Sequence, residues 1–220
     1  MLNRSALDFL LNPTFKTCPN LLLCYRRTIW IEEVITVKVL GFLGSPRSEG
    51  STRTIVESVL AGASSRGAET ELYMLNELNF KGCQGCRKCK QEGACDLKDD
   101  MTPIYGEILS SDVMVIGSPV YMAYVTGQTK LFLDRLYAFT GPDQVSRVPQ
   151  GKRCILVLTQ GYSDTSAYQN LIKGLSSLVS RLGFEVLEPL VVGGVYSPED
   201  QAAFQGAARG LEMGKSLLAN

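Results

Sequence analysis

The sequence predicts an α/β fold in which a doubly wound, five-stranded parallel sheet carries helices on both faces. From residue 37 onward, short apolar segments alternate with longer segments of helical period. Several of the apolar segments also lack the polar alternation of a half-exposed strand, which is typical of strands buried on both faces. At 220 residues, the chain has room for one such domain and an extension.

The five strands are expected at residues 37–43, 70–75, 113–117, 154–159 and 185–192. A helix is expected over residues 54–65, directly after the first strand. Two further helices are indicated by apolar residues at helical spacing. The residues of these two stripes are Phe132, Leu136 and Phe139, and Leu171, Leu175, Leu178 and Leu182. The Ser-Pro-Glu-Asp segment at 197–200 predicts the N-cap and first turn of a last helix.

Composition narrows the classes of function. The 22 basic residues are balanced by 22 acidic residues, which argues against a nucleic-acid or membrane-surface partner. The chain contains no histidine, so a histidine base and histidine-ligated zinc or iron are excluded. The apolar runs are too short for a transmembrane span and no signal peptide is recognised, so a cytoplasmic protein with reduced thiols is expected.

Residues 1–36 do not fit the alternating pattern and are assigned to an N-terminal extension, ahead of a domain at residues 37–220. One hypothesis is that the natural start lies near Val34 or Val37. The alternative is a short arm that takes part in oligomer contacts.

The loop after the first strand, residues 44–53, has the outline of a phosphate site. Small residues let backbone N–H groups approach an anion, and the N-terminus of the following helix adds partial positive charge. The lysine of a Walker loop and the glycine spacing of a dinucleotide fingerprint are both missing, so a mononucleotide is favoured. The alternative is a polar turn that caps the helix. The candidate phosphate ligands are Ser45, Arg47, Ser51, Thr52 and Arg53.

Three segments carry a resemblance to a known family: Gly44-Ser45-Pro46-Arg47, Gly50-Ser51-Thr52 and Ser118-Pro119-Val120-Tyr121. They resemble the NADPH-dependent FMN reductase and iron-sulfur flavoprotein superfamily, over about residues 37–220. The resemblance implies a flavodoxin-like sheet of strand order 2-1-3-4-5 and FMN as the cofactor, with its phosphate in the first loop and its ring against residues 118–121. It also implies a homodimer or homotetramer, because relatives complete the flavin pocket with a neighbouring subunit.

The flavin ring is expected at the loops that follow the third and fourth strands, because ligands of open α/β sheets bind beyond the carboxyl ends of the strands. Tyr121 and Tyr162 can also be rim aromatics that pack on their own loops. The candidate ring contacts are Ser118, Pro119, Val120, Tyr121, Thr159, Gln160 and Gly161.

Four cysteines lie within thirteen residues of the segment at 81–100, in a loop between the second strand and the next helix. Four thiolates suit either a [4Fe-4S] cluster or a structural zinc, although zinc ligands more often form two separated pairs. The run is similar to the cluster-binding segment of iron-sulfur flavoproteins, and a cluster-free thiol loop is the further alternative. The candidate metal ligands are Cys83, Cys86, Cys89 and Cys95.

Three basic residues lie among these thiols: Arg87, Lys88 and Lys90. They can stabilise an anionic cluster, form a docking patch for an acidic carrier, or belong to an ordinary solvated surface. Asp99 is expected to be a helix N-terminal acid rather than a metal ligand or base. Cys154 is expected to pack inside a strand.

Together these features predict an FMN-dependent oxidoreductase that passes electrons between a [4Fe-4S] cluster and FMN, with no catalytic side chain because the flavin performs the chemistry. NAD(P)H or a ferredoxin-like carrier is the expected electron donor, and a small molecule or carrier the acceptor. The alternatives are a cluster-free NAD(P)H-dependent FMN or quinone reductase, and a flavodoxin-like electron carrier without turnover.

Overall fold

A parallel sheet forms the centre of the computed structural model, which describes residues 36–218. Its long strands are β1 (Lys38–Leu43), β2 (Glu69–Met74), β3 (Val113–Tyr121) and β5 (Arg153–Thr159). The order across the sheet is β2-β1-β3-β5-β6, where β6 (Glu185–Val186) pairs with the beginning of β5. This arrangement confirms the predicted flavodoxin-like fold, since β5 and β6 correspond to the fourth and fifth predicted strands.

Helices connect the strands and cover both faces of the sheet. The helix bounds are α1 (Ser51–Ser64), α2 (Lys88–Glu92), α3 (Met101–Ser110), α4 (Gly127–Arg135), α5 (Gln169–Arg181) and α6 (Gln201–Ser216). A short 3-10 helix (Leu136–Phe139) continues α4. The connections are those expected of parallel strands joined by crossover helices.

Two apolar cores lie on opposite faces of the sheet. Alternate residues of β1 divide between them: Leu40 and Phe42 face one core, and Val39 and Leu43 face the other. Helices α3, α4 and α5 close the first core, and α1 and α6 close the second. This double burial explains the unbroken apolar sequence of the central strands.

The last predicted strand, residues 185–192, is not continuous. It divides into β6 and β7 (Leu190–Val192), which pair with opposite ends of β5. Pro189 immediately precedes β7, and proline lacks the N–H that a continuous ladder needs.

The third strand is longer than predicted and includes residues 118–121, which were expected to be loop. Ser118 and Pro119 pair with β5, and Val120 and Tyr121 pair with the short antiparallel strand β4 (Tyr124–Val125). Met122 and Ala123 form the turn between β3 and β4, both with positive φ.

Two helix starts also differ from prediction. Helix α1 begins at Ser51, three residues early, so that Ser51 and Thr52 belong to its first turn. Helix α6 begins only at Gln201, because the Asp200 carboxylate accepts the backbone N–H groups of Tyr196 and Ser197 and closes a turn there.

The N-terminal extension predicted at residues 1–36 lies, except for residue 36, outside the described residues, and its status stays a prediction. Within residues 36–218, no helix is both long enough and apolar enough to cross a membrane.

Candidate functional site

The loop between β1 and α1 brings the N-terminus of α1 to the carboxyl edge of the sheet. Gly50 precedes the helix in an extended conformation and has no side chain that could cap it. The first amides of a helix lack intrahelical partners, and this end carries about half a positive charge. Ser51 and Thr52 are buried in the first turn, and Ser45 is buried in the loop just after β1. This end of α1 therefore offers backbone and hydroxyl donors to one position.

A cavity of about 200 Å³ opens beside these donors. It lies where β1, β3 and β5 end, which is the position at which open α/β sheets bind ligands. All of the predicted cofactor residues except Arg53 and Ser118 line it. Its lining residues are Ser45, Arg47, Gly50, Ser51, Thr52, Pro119, Val120, Tyr121, Thr159, Gln160, Gly161, Val195 and Tyr196.

Hydroxyl groups join the elements that surround the cavity. Thr52 Oγ1 lies 2.7 Å from Thr159 Oγ1, a buried contact that ties the first turn of α1 to the end of β5. Thr126 Oγ1 donates to the Gly44 carbonyl at 2.7 Å and lies 2.8 Å from Thr129 Oγ1. A Cβ at Gly44 would stand 1.7 Å from Thr129 Oγ1, so only glycine allows this approach. These bonds hold the loops of the cavity to one another.

Gln160 contributes an unpaired acceptor to this region. Its side chain is 3% exposed, and its Nε2 donates to the carbonyls of Tyr162 at 3.0 Å and Asp164 at 2.7 Å. Those two bonds fix which end of the amide carries the oxygen. Among the described residues, Gln160 Oε1 is the buried side-chain polar atom left without a hydrogen-bond partner. A buried acceptor without a partner is costly, and because Gln160 lines the cavity, a ligand N–H that reaches this oxygen would satisfy it.

Two cavity residues, Val195 and Tyr196, were missed by sequence reasoning, and Gly50 lies in the predicted phosphate loop but was not named as a ligand. The Tyr196 ring packs on Gly161, where a Cβ would meet the ring at 2.9 Å. The Tyr196 carbonyl also accepts a hydrogen bond from Arg47 Nη1 at 3.4 Å, although the two residues are 149 positions apart in the sequence. No local motif marks Tyr196, because only the return of the chain after β7 brings it to this edge.

Two predicted cofactor residues lie away from the cavity. Arg53 Nε donates to Glu57 at 2.7 Å, and its Nη1 donates to the Ser48 carbonyl at 2.7 Å. Ser118 is buried, donates to the Pro119 carbonyl and accepts the Thr126 N–H. Arg53 thus faces the surface of α1, and Ser118 acts within the framework behind the cavity wall. Tyr162, for which a flavin contact and a rim aromatic were the two alternatives, is 65% exposed and contacts the ring of Tyr168.

The four clustered cysteines surround a second, smaller cavity. All of Cys83, Cys86, Cys89 and Cys95 line it, and Arg135 contributes to the same wall. Cys83 and Cys86 are exposed, Cys95 is half-buried and Cys89 is buried. Within residues 36–218, however, no three potential ligands converge closely enough to hold a metal ion. The metal assignment of these cysteines therefore stays a prediction.

Basic side chains anchor the backbone of this cysteine loop. Arg147 donates to the carbonyl of Cys89 at 2.7 Å and to that of Lys90 at 3.0 Å. Lys90 is buried, donates to the carbonyls of Tyr137 and Thr140, and lies 3.3 Å from the centre of the Tyr137 ring. Of the basic residues expected to border the thiols, Lys90 thus anchors the loop, whereas Arg87 and Lys88 are exposed.

Asp99 and Arg135 form a two-bond ion pair behind the same loop. Arg135 Nη1 and Nη2 donate to the two carboxylate oxygens at 2.6 and 3.0 Å. Burial opposes ionisation of Asp99, but hydrogen bonds from Arg135 and the amides of Lys81 and Met101 outweigh it and hold its pKa below the ordinary value. Asp99 accordingly serves as a structural acid just before α3.

Two other cysteine environments bear on reactivity. Burial raises the pKa of Cys89. The positive charge of Lys90 acts against this rise, and the other three thiols of the loop add to it. Cys154 lies in β5 and is completely buried, as predicted, and burial raises its pKa strongly. Both thiols are therefore poor nucleophiles in the free protein.

The strand order, the helices on both faces and the cavity at the carboxyl edge define a flavodoxin-like α/β protein. The chain belongs to the NADPH-dependent FMN reductase family, whose family model matches residues 37–190. The match includes the loops after β1, β3 and β5, and it ends before Val195 and Tyr196.

Individual relatives cover part of the chain. An iron-sulfur flavoprotein of Methanocaldococcus jannaschii is 39% identical over 99 residues, which are 45% of this chain and 51% of the relative. One of Archaeoglobus fulgidus is 33% identical over 103 residues, or 47% of each chain. The chain thus spans about half the length of the curated relatives it matches.

The fold has close structural relatives as well. An NAD(P)H:quinone oxidoreductase from Methanothermobacter marburgensis superposes with a TM-score of 0.69, over 84% of this chain and 98% of that one. The two sequences are 17% identical, so this likeness concerns the fold.

Proposed function

We propose that this chain is an FMN-dependent oxidoreductase that passes electrons between FMN and a [4Fe-4S] cluster. FMN would occupy the cavity beside α1, and Cys83, Cys86, Cys89 and Cys95 would hold the cluster. The observation that carries the flavin assignment is one cavity lined both by the uncapped end of α1 and by Gln160, a residue whose side-chain acceptor is unpaired.

The donors around α1 suit a dianionic phosphate monoester. The helix end supplies partial positive charge and free amides, and Ser45, Ser51 and Thr52 supply hydroxyl groups. Arg47 adds a full charge at the exposed side of the cavity. Gln160 Oε1 suits a ligand that presents an N–H donor, as the pyrimidine part of a flavin does. The residues present therefore match FMN at both ends.

The thiols suit a polynuclear cluster better than a single metal ion. A single zinc needs four ligands converging on one point, and no such convergence exists within the described residues. A cubane receives its thiolates at separate corners, and the four cysteines lie around one shared cavity. The names of the two relatives described above add support, since each is called an iron-sulfur flavoprotein.

When bound, the flavin supplies the change between two-electron and one-electron transfer, and the cluster supplies one-electron transfer. The chain's own residues bind and orient these groups. Pro119, Val120 and Tyr121 form one wall of the flavin cavity, and Gly161 with Tyr196 forms another. We further propose a ferredoxin-like carrier or NAD(P)H as donor, a small-molecule acceptor, assembly as a homodimer or homotetramer, and a cytoplasmic location.

A cluster-free NAD(P)H-dependent FMN or quinone reductase is the second candidate. It is favoured by the lack of converging metal ligands within residues 36–218. In this case the four thiols would be free, as the five cysteines of the described residues are in the structure. A flavodoxin-like carrier without turnover would bind FMN but fail to oxidise NAD(P)H.

The test is an anaerobic reconstitution with FMN, iron and sulfide, followed by visible spectra and iron analysis. The parent is compared with Cys86→Ser and with the control Cys154→Ala, whose thiol lies in β5, away from the cysteine cavity. We expect flavin bands in all three proteins, about four iron atoms per chain in the parent and control, and loss of iron in Cys86→Ser.

Flavin without iron in the parent would reject the cluster and support the second candidate. A turnover assay with NAD(P)H and a quinone would then separate the reductase from a carrier. A parent protein that binds no flavin would reject the whole proposal.

A further inference from the structure

Arg135 is a completely buried arginine at the wall of the cysteine cavity. Its side chain has 0% exposure, although it lies at the C-terminal end of α4. Arginine is almost never fully buried unless it is paired, because removing its charge from water is costly. Its position therefore needs a structural or functional reason.

The known partners of Arg135 account for most of its donors. Nε donates to the Tyr105 hydroxyl at 3.0 Å, and Nη1 donates to the Lys81 carbonyl and to Asp99. Nη2 donates to the other Asp99 oxygen. A guanidinium has five N–H donors, two of them on Nη2, so these four bonds leave one Nη2 donor over.

Arg135 lines the cavity of the four thiols, whereas Asp99 does not. Burial lowers the pKa of Arg135, but its hydrogen bonds to Asp99 and Tyr105 outweigh burial and raise that pKa. Asp99, in contrast, is occupied by Arg135 and by the backbone amides of Lys81 and Met101. The positive end of the ion pair is thus the end that borders the thiols.

We propose that Arg135 tunes the cluster by holding a buried positive charge at the wall of the four-cysteine cavity. This inference rests on the proposed cluster. One-electron reduction adds one negative charge to an already anionic tetrathiolate cluster. A fixed guanidinium stabilises the reduced form more than the oxidised form and so raises the reduction potential.

The experiment measures the reduction potential of the reconstituted protein by an electron paramagnetic resonance titration, with iron content as a second readout. Arg135→Gln removes the charge, and Arg135→Lys keeps the charge but loses the planar fork. The control is Arg147→Gln, because Arg147 anchors the same loop through backbone carbonyls but does not line the cavity. Bound FMN and thermal melting report on folding in every variant.

We expect Arg135→Gln to lower the ratio of reduced to oxidised cluster about tenfold at a given potential, which is about 59 mV for a one-electron couple. Arg135→Lys should shift the potential in the same direction by a smaller amount, and it serves as the test if Arg135→Gln does not fold. Arg147→Gln should melt at a lower temperature with an unchanged potential.

An unchanged potential in the Arg135 variants that fold, or an equal shift in Arg147→Gln, would overturn this inference and leave the cluster in place. A parent that binds FMN but takes up no iron would instead overturn the cluster proposal, and this inference with it.

Discussion

Replacing Arg47 with alanine tests the phosphate end of the flavin cavity, and Arg53→Ala provides a matched control. Arg47 lines the cavity. Within residues 36–218, its guanidinium makes one long hydrogen bond, of 3.4 Å, to the Tyr196 carbonyl. Arg53 follows six residues later but is engaged with Glu57 and Ser48. The two substitutions therefore remove the same charge from neighbouring positions, and only one of them should affect the phosphate.

The expected magnitude follows from the exposure of Arg47. Hydrogen bonds to charged groups contribute roughly 1.5–3 kcal/mol, and solvent screening at an exposed side chain favours the lower value. About 1.5 kcal/mol corresponds to a roughly tenfold weaker Kd for FMN. Arg53→Ala should change the Kd for FMN less than about twofold, because Arg53 does not line the cavity. The substitution removes only an ion pair on the surface of α1, which stabilises the helix by about 0.3–0.5 kcal/mol.

The assay is quenching of flavin fluorescence on titration with the apoprotein, carried out with FMN and with riboflavin. Riboflavin lacks the phosphate, so Arg47→Ala should leave its affinity unchanged while FMN affinity falls. Raising the salt to about 1 M, where the Debye length is about 3 Å, should shrink the difference between parent and variant. Equal losses for both flavins, or equal effects of the two arginine substitutions, would refute the assignment of the phosphate to this end of the cavity.

Three further predictions concern other parts of the structure. In that titration, Gln160→Met should weaken the binding of FMN and of riboflavin by the same factor, because Gln160 Oε1 is assigned to the flavin ring. A loss of affinity confined to FMN would contradict this assignment. Gly44→Ala should lower the free energy of unfolding in urea by about 1–3 kcal/mol, since its Cβ would collide with Thr129 Oγ1, and Thr129→Ala in the same chain should recover part of the loss. The pKa of Asp99 is lower in the folded protein than its ordinary value of 3.8. The ionised carboxylate therefore adds to the free energy of unfolding above pH 3.8, and this contribution is lost as the pH falls through the folded-state pKa. Acid unfolding of Asp99→Asn should therefore show a weaker pH dependence over that window than the parent, and identical profiles would show that the ion pair with Arg135 does not contribute.

The residues of the flavin cavity illustrate how far local sequence can predict a site. Ser45, Ser51 and Thr52 belong to one continuous loop and helix start, and the strand-loop-helix pattern alone indicates that their donors converge. The residues after β3 and β5 follow from a general rule, since parallel strands of one sheet end at the same edge. Arg53 shows where this reasoning stops, because the direction of a side chain on a helix start depends on its nearest partner, Glu57.

The boundaries of several elements needed information that the local pattern does not contain. Residues 118–121 look like a loop, but pairing with β5 and β4 draws them into β3. The segment at 185–192 looks like one strand, although Pro189 divides it. For residues 118–121 the partners across the sheet decide the outcome, and tertiary pairing overrides local propensity. At 185–192 the break coincides with Pro189, a local signal that the apolar pattern around it conceals.

The sequence by itself determined the class of fold, the edge of the sheet at which a ligand would bind and the segment that carries the clustered thiols. Each of these depends on neighbours in the chain: apolar periodicity, a loop beside a helix start, and the spacing of cysteines. Only the tertiary structure placed Tyr196 against Gly161, buried Lys90, and set Arg135 with Asp99 behind the cysteine loop. These contacts join residues from separate elements, and their energies depend on burial and on the partner that arrives, neither of which is encoded by local pattern.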